Sequence, residues 1–444
     1  MNTVYPLLFL FPCLAQSAPN FPLYLSPPIA APIQDAAGSL NITPALISSG
    51  AQPSSTPIPI PDDEGPFLLP SPALFSPPTP FVMAYYPDWA GPDFPPEKID
   101  FSRFDWIDFA FALPKEDFNL TWDDPDTAPH LLERLVTAAH SKGKKVKLSV
   151  GGWTGSKYFS SAVATDQARK TFVENIYNLY NQFNIDGIDI DWEYPGYQGQ
   201  DGNEVSQWDS ANFLTFLKLL RDWLPPDAVI SAAALTTPFH GPDGQPMSDV
   251  SEFAQVLNWT LLMNYDDWGA SSNPGPNAPL FDACHNSTQP DASAAAAVAA
   301  WTAAGFPASQ LVLGVPSYGY VSKSTATRLR TRQGQVPSIK LASDGGQIQF
   351  RDLLAQGALV RNSDGSFTGD GGFTRDYDEC SCTPFLRSPS SGQIVTYDDP
   401  QSLALKATLA KQAGILGVNM FDWTGDTDDG DLVDGIMQGF NCAS

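Results

Sequence analysis

Four acidic residues stand in the run Asp186-Gly-Ile-Asp189-Ile-Asp191-Trp-Glu193-Tyr-Pro, and three of them alternate strictly with apolar partners. Successive side chains of an extended strand point to opposite faces. Asp189, Asp191 and Glu193 therefore share one face, while Ile188, Ile190 and Trp192 share the other. Residues two apart on one face lie about 7 Å from each other, and like charges at that spacing repel once water is excluded. Such a stack has no structural benefit. Sharing protons drives the pKa values apart, so that one carboxyl stays protonated near neutrality beside an ionised neighbour. That is the equipment of general acid–base catalysis. A metal site built from hard oxygen ligands is the competing reading. The run lacks His, however, and its neighbours are aromatic rather than carbonyl-rich, so neither a metal nor a cofactor is expected.

Side chains of this kind need a scaffold that brings strand ends together. Short apolar runs at 81–86, 106–111, 145–150, 187–192, 229–235, 259–264, 311–315 and 417–421 alternate with amphipathic stretches such as 131–140, 166–183, 212–224, 294–303 and 403–413. Eight strand–helix repeats over about 360 residues predict a closed (β/α)8 TIM barrel. The interval before the eighth run is too long for one helix, so an inserted α+β lobe is expected between strands 7 and 8, at about 321–396, with a strand-like 347–351. An open doubly wound sheet is the structural alternative, but its Gly-rich first turn is absent. In a closed barrel the site gathers at the C-terminal strand ends. Tyr85 and Asp88, Ser149 with Gly151, Gly152 and Trp153, the three carboxyls, Tyr265 with Asp266, and Asp422 with Trp423 all fall there. Parity assigns Trp192 to the core.

The 444 residues carry 24 basic and 49 acidic side chains, a formal charge of −25. No net positive field exists to hold phosphate backbones or anionic lipid, which excludes nucleic-acid and membrane-surface binding. An apolar run from Val4 to Leu14, followed by small residues, predicts a signal peptide over 1–17, although no Lys or Arg precedes it. Residues 18–80 hold 16 prolines in 63 positions and no period of 2 or 3.6, which predicts a disordered linker. The first basic residue is Lys98, and 81–444 form the barrel domain. If Cys13 leaves with the leader, Cys284, Cys380, Cys382 and Cys442 remain, an even number suited to two disulfides. Of the three pairings, the one containing Cys380–Cys382 is least favoured. Sequons stand at Asn41, Asn119, Asn258 and Asn286. A secreted, extracellular, glycosylated monomer is expected.

The Asp186, Asp189, Asp191, Glu193 spacing resembles the DxxDxDxE signature of glycoside hydrolase family 18, the chitinases. Ser149-Val-Gly151-Gly152 resembles that family's SxGG strand, and Met263-Asn-Tyr265-Asp266 its MxYD strand, over about 81–438. The resemblance implies hydrolysis of β-1,4-linked N-acetylglucosamine polymers, with the substrate's acetamido group as nucleophile. Glu193 would be general acid and then base. Asp191 would orient the acetamido group and stabilise the oxazolinium intermediate, Asp189 would sit behind it sharing a proton, and Tyr265 would donate to the acetamido carbonyl. Tyr85, Phe111, Trp153, Met263, Asp266 and Trp423 would bind sugar, whose C–H faces stack on rings. In many relatives a Trp ending the eighth strand forms the subsite floor. Phe421 occupies that place and is a candidate sugar contact and floor itself, while Trp423, two residues on, is the favoured floor. Chitin or chito-oligosaccharides are the implied partner. An endo-β-N-acetylglucosaminidase acting on N-glycans and a non-catalytic chitin-binding lectin are the alternatives.

Overall fold

The computed structural model describes residues 80–442 apart from 271–272, 323–345 and 390. The leader, the proline-rich spacer up to residue 79, Cys13, Asn41 and the Cys442 side chain lie outside the described residues. Eight strands close a parallel barrel: β1 (Phe81–Pro87), β2 (Trp106–Pro114), β3 (Lys145–Gly151), β4 (Gly187–Asp191), β5 (Val229–Ala234), β6 (Trp259–Leu262), β7 (Leu311–Pro316) and β8 (Gly417–Phe421). Each pairs in parallel with its neighbour, and β8 returns to β1 with Phe81 opposite Gly417. Every expected strand is present, with ends shifted by at most three residues.

Three of the helices that cover the strands start where a polar side chain satisfies free N–H groups of the first turn. In α1 (Ala128–His140) a proline stands in that first turn. Thr165 caps α2 (Asp166–Phe183) through Ala168 N–H, and Ser293 caps α4 (Ala294–Ala303) through Ala296 N–H, while α3 is Asp209–Trp223. Asp399 and Ser402 form a capping box on α5 (Pro400–Gln412), and α6 (Asp431–Cys442) packs along it. Apolar periodicity alone placed α1, α3 and α5 about three residues late, because their first turns are polar.

Between β7 and β8, strands Gln347–Gln349, Tyr318–Ser322, Gln393–Thr396, Thr383–Ser388 and Thr374–Asp378 form an antiparallel sheet in that spatial order. A short helix, Phe350–Ala355, and a hairpin of Leu359–Arg361 with Phe367–Gly369 complete this lobe. It begins at Tyr318, directly after β7, rather than at 321.

Inside the barrel, parity stacks the side chains in layers. Trp106 and Trp259 meet edge to face at 5.4 Å near the N-terminal end, with Phe81 at 6.4 Å from Trp259. Ile188, Ile190 and Trp192 face outward, where Trp192 stacks on Phe159 at 5.2 Å and meets Phe213 at 5.5 Å. Gly151 ends β3 at φ +115°, and a Cβ there would lie 2.2 Å from the Asp191 carbonyl oxygen and 2.7 Å from the Phe159 ring. Gly151→Ala combines a backbone conformation closed to L residues with overpacking. It is expected to destabilise the fold by about 3 kcal/mol or more, read as a lower urea midpoint with unchanged slope.

Candidate active site

The carboxyl ladder on β4 is wired to its neighbours by register. Ser149 on β3 and Ser231 on β5 both stand level with Asp189. Their hydroxyls donate to Asp189 Oδ2 at 2.8 Å and Oδ1 at 2.6 Å, and the Tyr85 hydroxyl donates to Oδ2 at 2.9 Å. Asp189 thus satisfies its oxygens with hydroxyls from three other strands rather than by a hydrogen bond to Asp191. Tyr85 is buried behind it. That corrects the expectation that Tyr85 binds sugar: its ring and hydroxyl are spent inside the barrel.

One layer higher, Asp191 is buried, and its Oδ1 has no hydrogen-bond partner among the described residues. Burial, then Glu193, Asp189 and Asp108, push its carboxyl well above the usual range. Glu193 follows just past the strand end, 9% exposed. Its backbone is fixed from both sides: its N–H donates to Ser156 Oγ at 2.8 Å, and its carbonyl accepts from Asn203 Nδ2 at 3.3 Å. Burial raises the Glu193 carboxyl to about 7, with Asp266 adding to the rise and a hydrogen bond from Tyr194 opposing it. Burial raises both neighbouring carboxyls, and Glu193 adds to the rise at Asp191, so the proton affinities of the two acids are linked. The Tyr265 phenol is pushed well above its ordinary value by burial and then by Asp191, Asp266, Glu193 and Asp189, so it remains an O–H donor facing those acids.

Asp266 turns out of β6 at φ +66°. Its N–H donates to Asn277 Oδ1 at 3.0 Å, and its Oδ1 accepts from Tyr318 at 2.7 Å and Tyr320 at 2.6 Å. Both tyrosines come from the first strand of the lobe, and neither was singled out from the sequence. Their alternation, Tyr-Gly-Tyr, was the available signal. Met263 packs against the inner core below.

The aromatic residues divide between mouth and wall. A register shift between Ala110 and Ala112 on β2 leaves Phe111 as the extra residue of a bulge, the device by which strands re-aim a side chain. Its ring lies 6.3 Å from Tyr85 and is stacked 6.2 Å from Trp89. Gly152, at φ +79°, lies so close that a Cβ there would sit 3.0 Å from the Phe111 ring. Trp153 and Trp89 are 49% and 55% exposed on the rim, and Trp89, stacked on Phe111, is an exposed aromatic that the strand pattern did not mark. The expectation for Trp423 is corrected. Phe421, not Trp423, meets Tyr85 at 5.3 Å, Tyr265 at 6.1 Å and Tyr318 at 6.4 Å. The strand ends at Phe421, Asp422 caps a 3-10 turn over Trp423–Gly425, and two-residue parity stops there. Trp423 instead stacks on Tyr86 at 6.0 Å and meets Phe94 at 6.1 Å.

Cys284, in the loop after β6, is bonded to Cys380 in a lobe turn. Among the described residues Cys382 is a free thiol, and its Sγ–H donates to the Glu379 carbonyl. Its positive φ in the tight turn points it back along its own chain. The Asn258 sequon is structural: the side chain is buried and accepts from Arg221 and from Ile230 N–H. Among the described residues no group of three or more His, Cys, Asp or Glu side chains is placed to hold a metal ion. No described helix is long and apolar enough to cross a membrane.

An eight-stranded parallel barrel whose fourth strand brings a coupled acid pair to its mouth, with a protonated tyrosine opposite, defines an acid–base site of the glycosidase type. The family model "Glycosyl hydrolases family 18" matches residues 82–426, and the chain belongs to that family. It is similar to a chitinase-like effector of Moniliophthora roreri, 36% identical over 379 residues covering 81% of this chain and 92% of that protein. Chitinase A1 of Niallia circulans is 30% identical over 335 residues, 72% of this chain and 45% of that protein. Among solved structures, a chitinase from Rhizomucor miehei superposes with a TM-score of 0.69 at 32% identity, covering 81% of this chain and all of that one.

Proposed function

We propose that the protein is a secreted chitinase that hydrolyses β-1,4-linked N-acetylglucosamine polymers with retention, by substrate-assisted catalysis. The observation that carries this reading is the adjacent Asp191–Glu193 pair, both members buried at an aromatic mouth and the Asp191 Oδ1 left without a partner, with burial raising the Glu193 carboxyl to about 7. Glu193 protonates the glycosidic oxygen, and the scissile C1–O bond breaks as the acetamido oxygen bonds to C1. The orphan Asp191 Oδ1 accepts the acetamido N–H and stabilises the positive charge that develops, while Tyr265 donates to the acetamido oxygen. Glu193, now a carboxylate, removes a proton from the water that opens the oxazolinium ring, and the anomeric configuration is restored. The apolar leader and the disulfide support export.

A second reading, chitin binding without turnover, is favoured by the name of the Moniliophthora roreri relative and by Phe421 in place of a floor Trp. A product time course on a chito-oligosaccharide of defined length decides between them. Shorter oligomers appear under the first reading, and binding without products supports the second. The two eighth-strand aromatics should separate in the same assay. Phe421→Ala is expected to cut kcat/KM about tenfold or more by removing roughly 1.5–3 kcal/mol of ring contact. Trp423→Ala is expected to lower the unfolding midpoint with kcat/KM nearly kept.

A further inference from the structure

Beneath the catalytic pair the barrel holds a buried ion cluster that neither the sequence pattern nor the family comparison assigns. Lys147 projects inward from β3, 1% exposed. Its Nζ donates to Ser231 Oγ at 2.6 Å, and that hydroxyl donates on to Asp189 Oδ1 at 2.6 Å. The ammonium also lies 3.3 Å from Asp108 Oδ1 on β2 and 3.9 Å from Asp189 Oδ1, with the Trp259 ring 4.6 Å away on β6. Asn419 on β8 donates to Asp108 Oδ2 at 2.7 Å. Tyr85 on β1 faces the same Asp189, and Asp191 and Glu193 lie above it on β4. Four carboxyls therefore line one column, and Lys147 is the one cation among the described residues that line it.

An apolar residue would fill this layer at lower cost, since sealing an ammonium in a barrel carries a desolvation penalty of several kcal/mol. We propose that Lys147 is a positioning residue of the site, whose charge sets the pH range over which the Asp191–Glu193 pair holds the single proton that catalysis needs. This rests on the proposed hydrolase reading. A unit charge at 3–4 Å in a weakly screened interior moves a neighbouring carboxyl by a pH unit or more. The influence passes upward because the Asp191 carboxyl feels both Asp189 and Asp108.

The test exploits the opposite charges of the two partners. Lys147→Met keeps an unbranched side chain one atom shorter and removes the positive charge, so carboxyl values rise. The acid limb of kcat/KM on a chito-oligosaccharide should move up by about one pH unit. Asp108→Asn keeps the shape and removes a negative charge, so the limb should move down. Lost packing lowers rates without producing shifts of opposite sign. Thermal unfolding from pH 4 to 8 reads the same signs without turnover. Buried carboxyls whose folded values are raised, such as Asp108 at about 6, contribute stability below their unfolded values that is lost as pH rises through the folded ones. That loss should be larger than wild type in Lys147→Met and smaller in Asp108→Asn. Shifts of the same sign, or none, overturn the proposal. Should Lys147→Met fail to fold, absence of the Asp108→Asn shift overturns it alone. A wild-type protein that releases no products sinks the hydrolase reading instead, and the unfolding series still decides the role of Lys147.

Discussion

Glu193→Gln is expected to cleave a chito-oligosaccharide about a thousandfold more slowly than the wild type while binding it as tightly. The amide matches the carboxyl in shape and still fills its buried place, so the backbone bonds through Ser156 and Asn203 survive. What disappears is a proton that can be handed to the leaving oxygen, and general acid–base groups supply about 10²–10⁴ in rate. The exposed rings of Trp153 and Trp89 are untouched, which is why affinity should stay. The pH profile carries a second signature. With the Glu193 carboxyl raised to about 7 by burial, the acid form is populated below that value and lost above it. Wild-type kcat should therefore fall as pH rises through about 7, and residual activity of the variant should lack that limb. Product chromatography and calorimetric titration with the same oligosaccharide check both halves, and normal turnover by the variant would remove Glu193 from the role of acid.

Asp191→Asn should separate activity from stability in opposite directions. The carboxyl is buried among Glu193, Asp189 and Asp108, all of which push its value up. A folded value above the unfolded one means that stability is highest at low pH and is lost as pH rises through the folded value. The amide does not titrate, so the variant should gain on the wild type as pH rises. Catalysis should fall about 10²–10³-fold, since a neutral amide stabilises a developing cation poorly. Melting at pH 5 and pH 8 beside a rate assay tests the pair of claims. A variant both inactive and less stable at pH 8 would count against like-charge crowding as the source of the raised value.

What the sequence made legible was periodic. Asp189, Asp191 and Glu193 could be placed on one face because a strand has a period of two, and Trp192 could be consigned to the wall for the same reason. The barrel followed from eight repeats of that pattern with helical spacing between them. Legibility ended where periodicity ends. Trp423 was misplaced because β8 stops at Phe421 and a capped turn follows, and Tyr85 looked like a rim residue although its hydroxyl reaches across to Asp189. Asp108 and Lys147 stand level on the neighbouring strands β2 and β3, a register that no local window reports. The lobe tyrosines reach Asp266 from more than 50 positions away in the chain. The buried Asn258 shows the same limit, since a sequon says nothing of what its side chain already holds.

The reach of Tyr318 and Tyr320 into the site bears on how this architecture can be remodelled. A lobe inserted between two barrel strands looks like a removable module, and a designer seeking a smaller catalyst would cut there first. Yet its first strand provides both hydroxyl donors on Asp266, and a second attachment runs through Cys284 and Cys380. Excision would strip a mouth carboxylate of its partners beside Tyr265 and Glu193, adding an unanchored charge to a crowded set of acids. Minimisation of this scaffold has to keep Tyr318–Ser322 as part of the barrel proper, and grafting another family member's lobe has to bring donors for Asp266 with it.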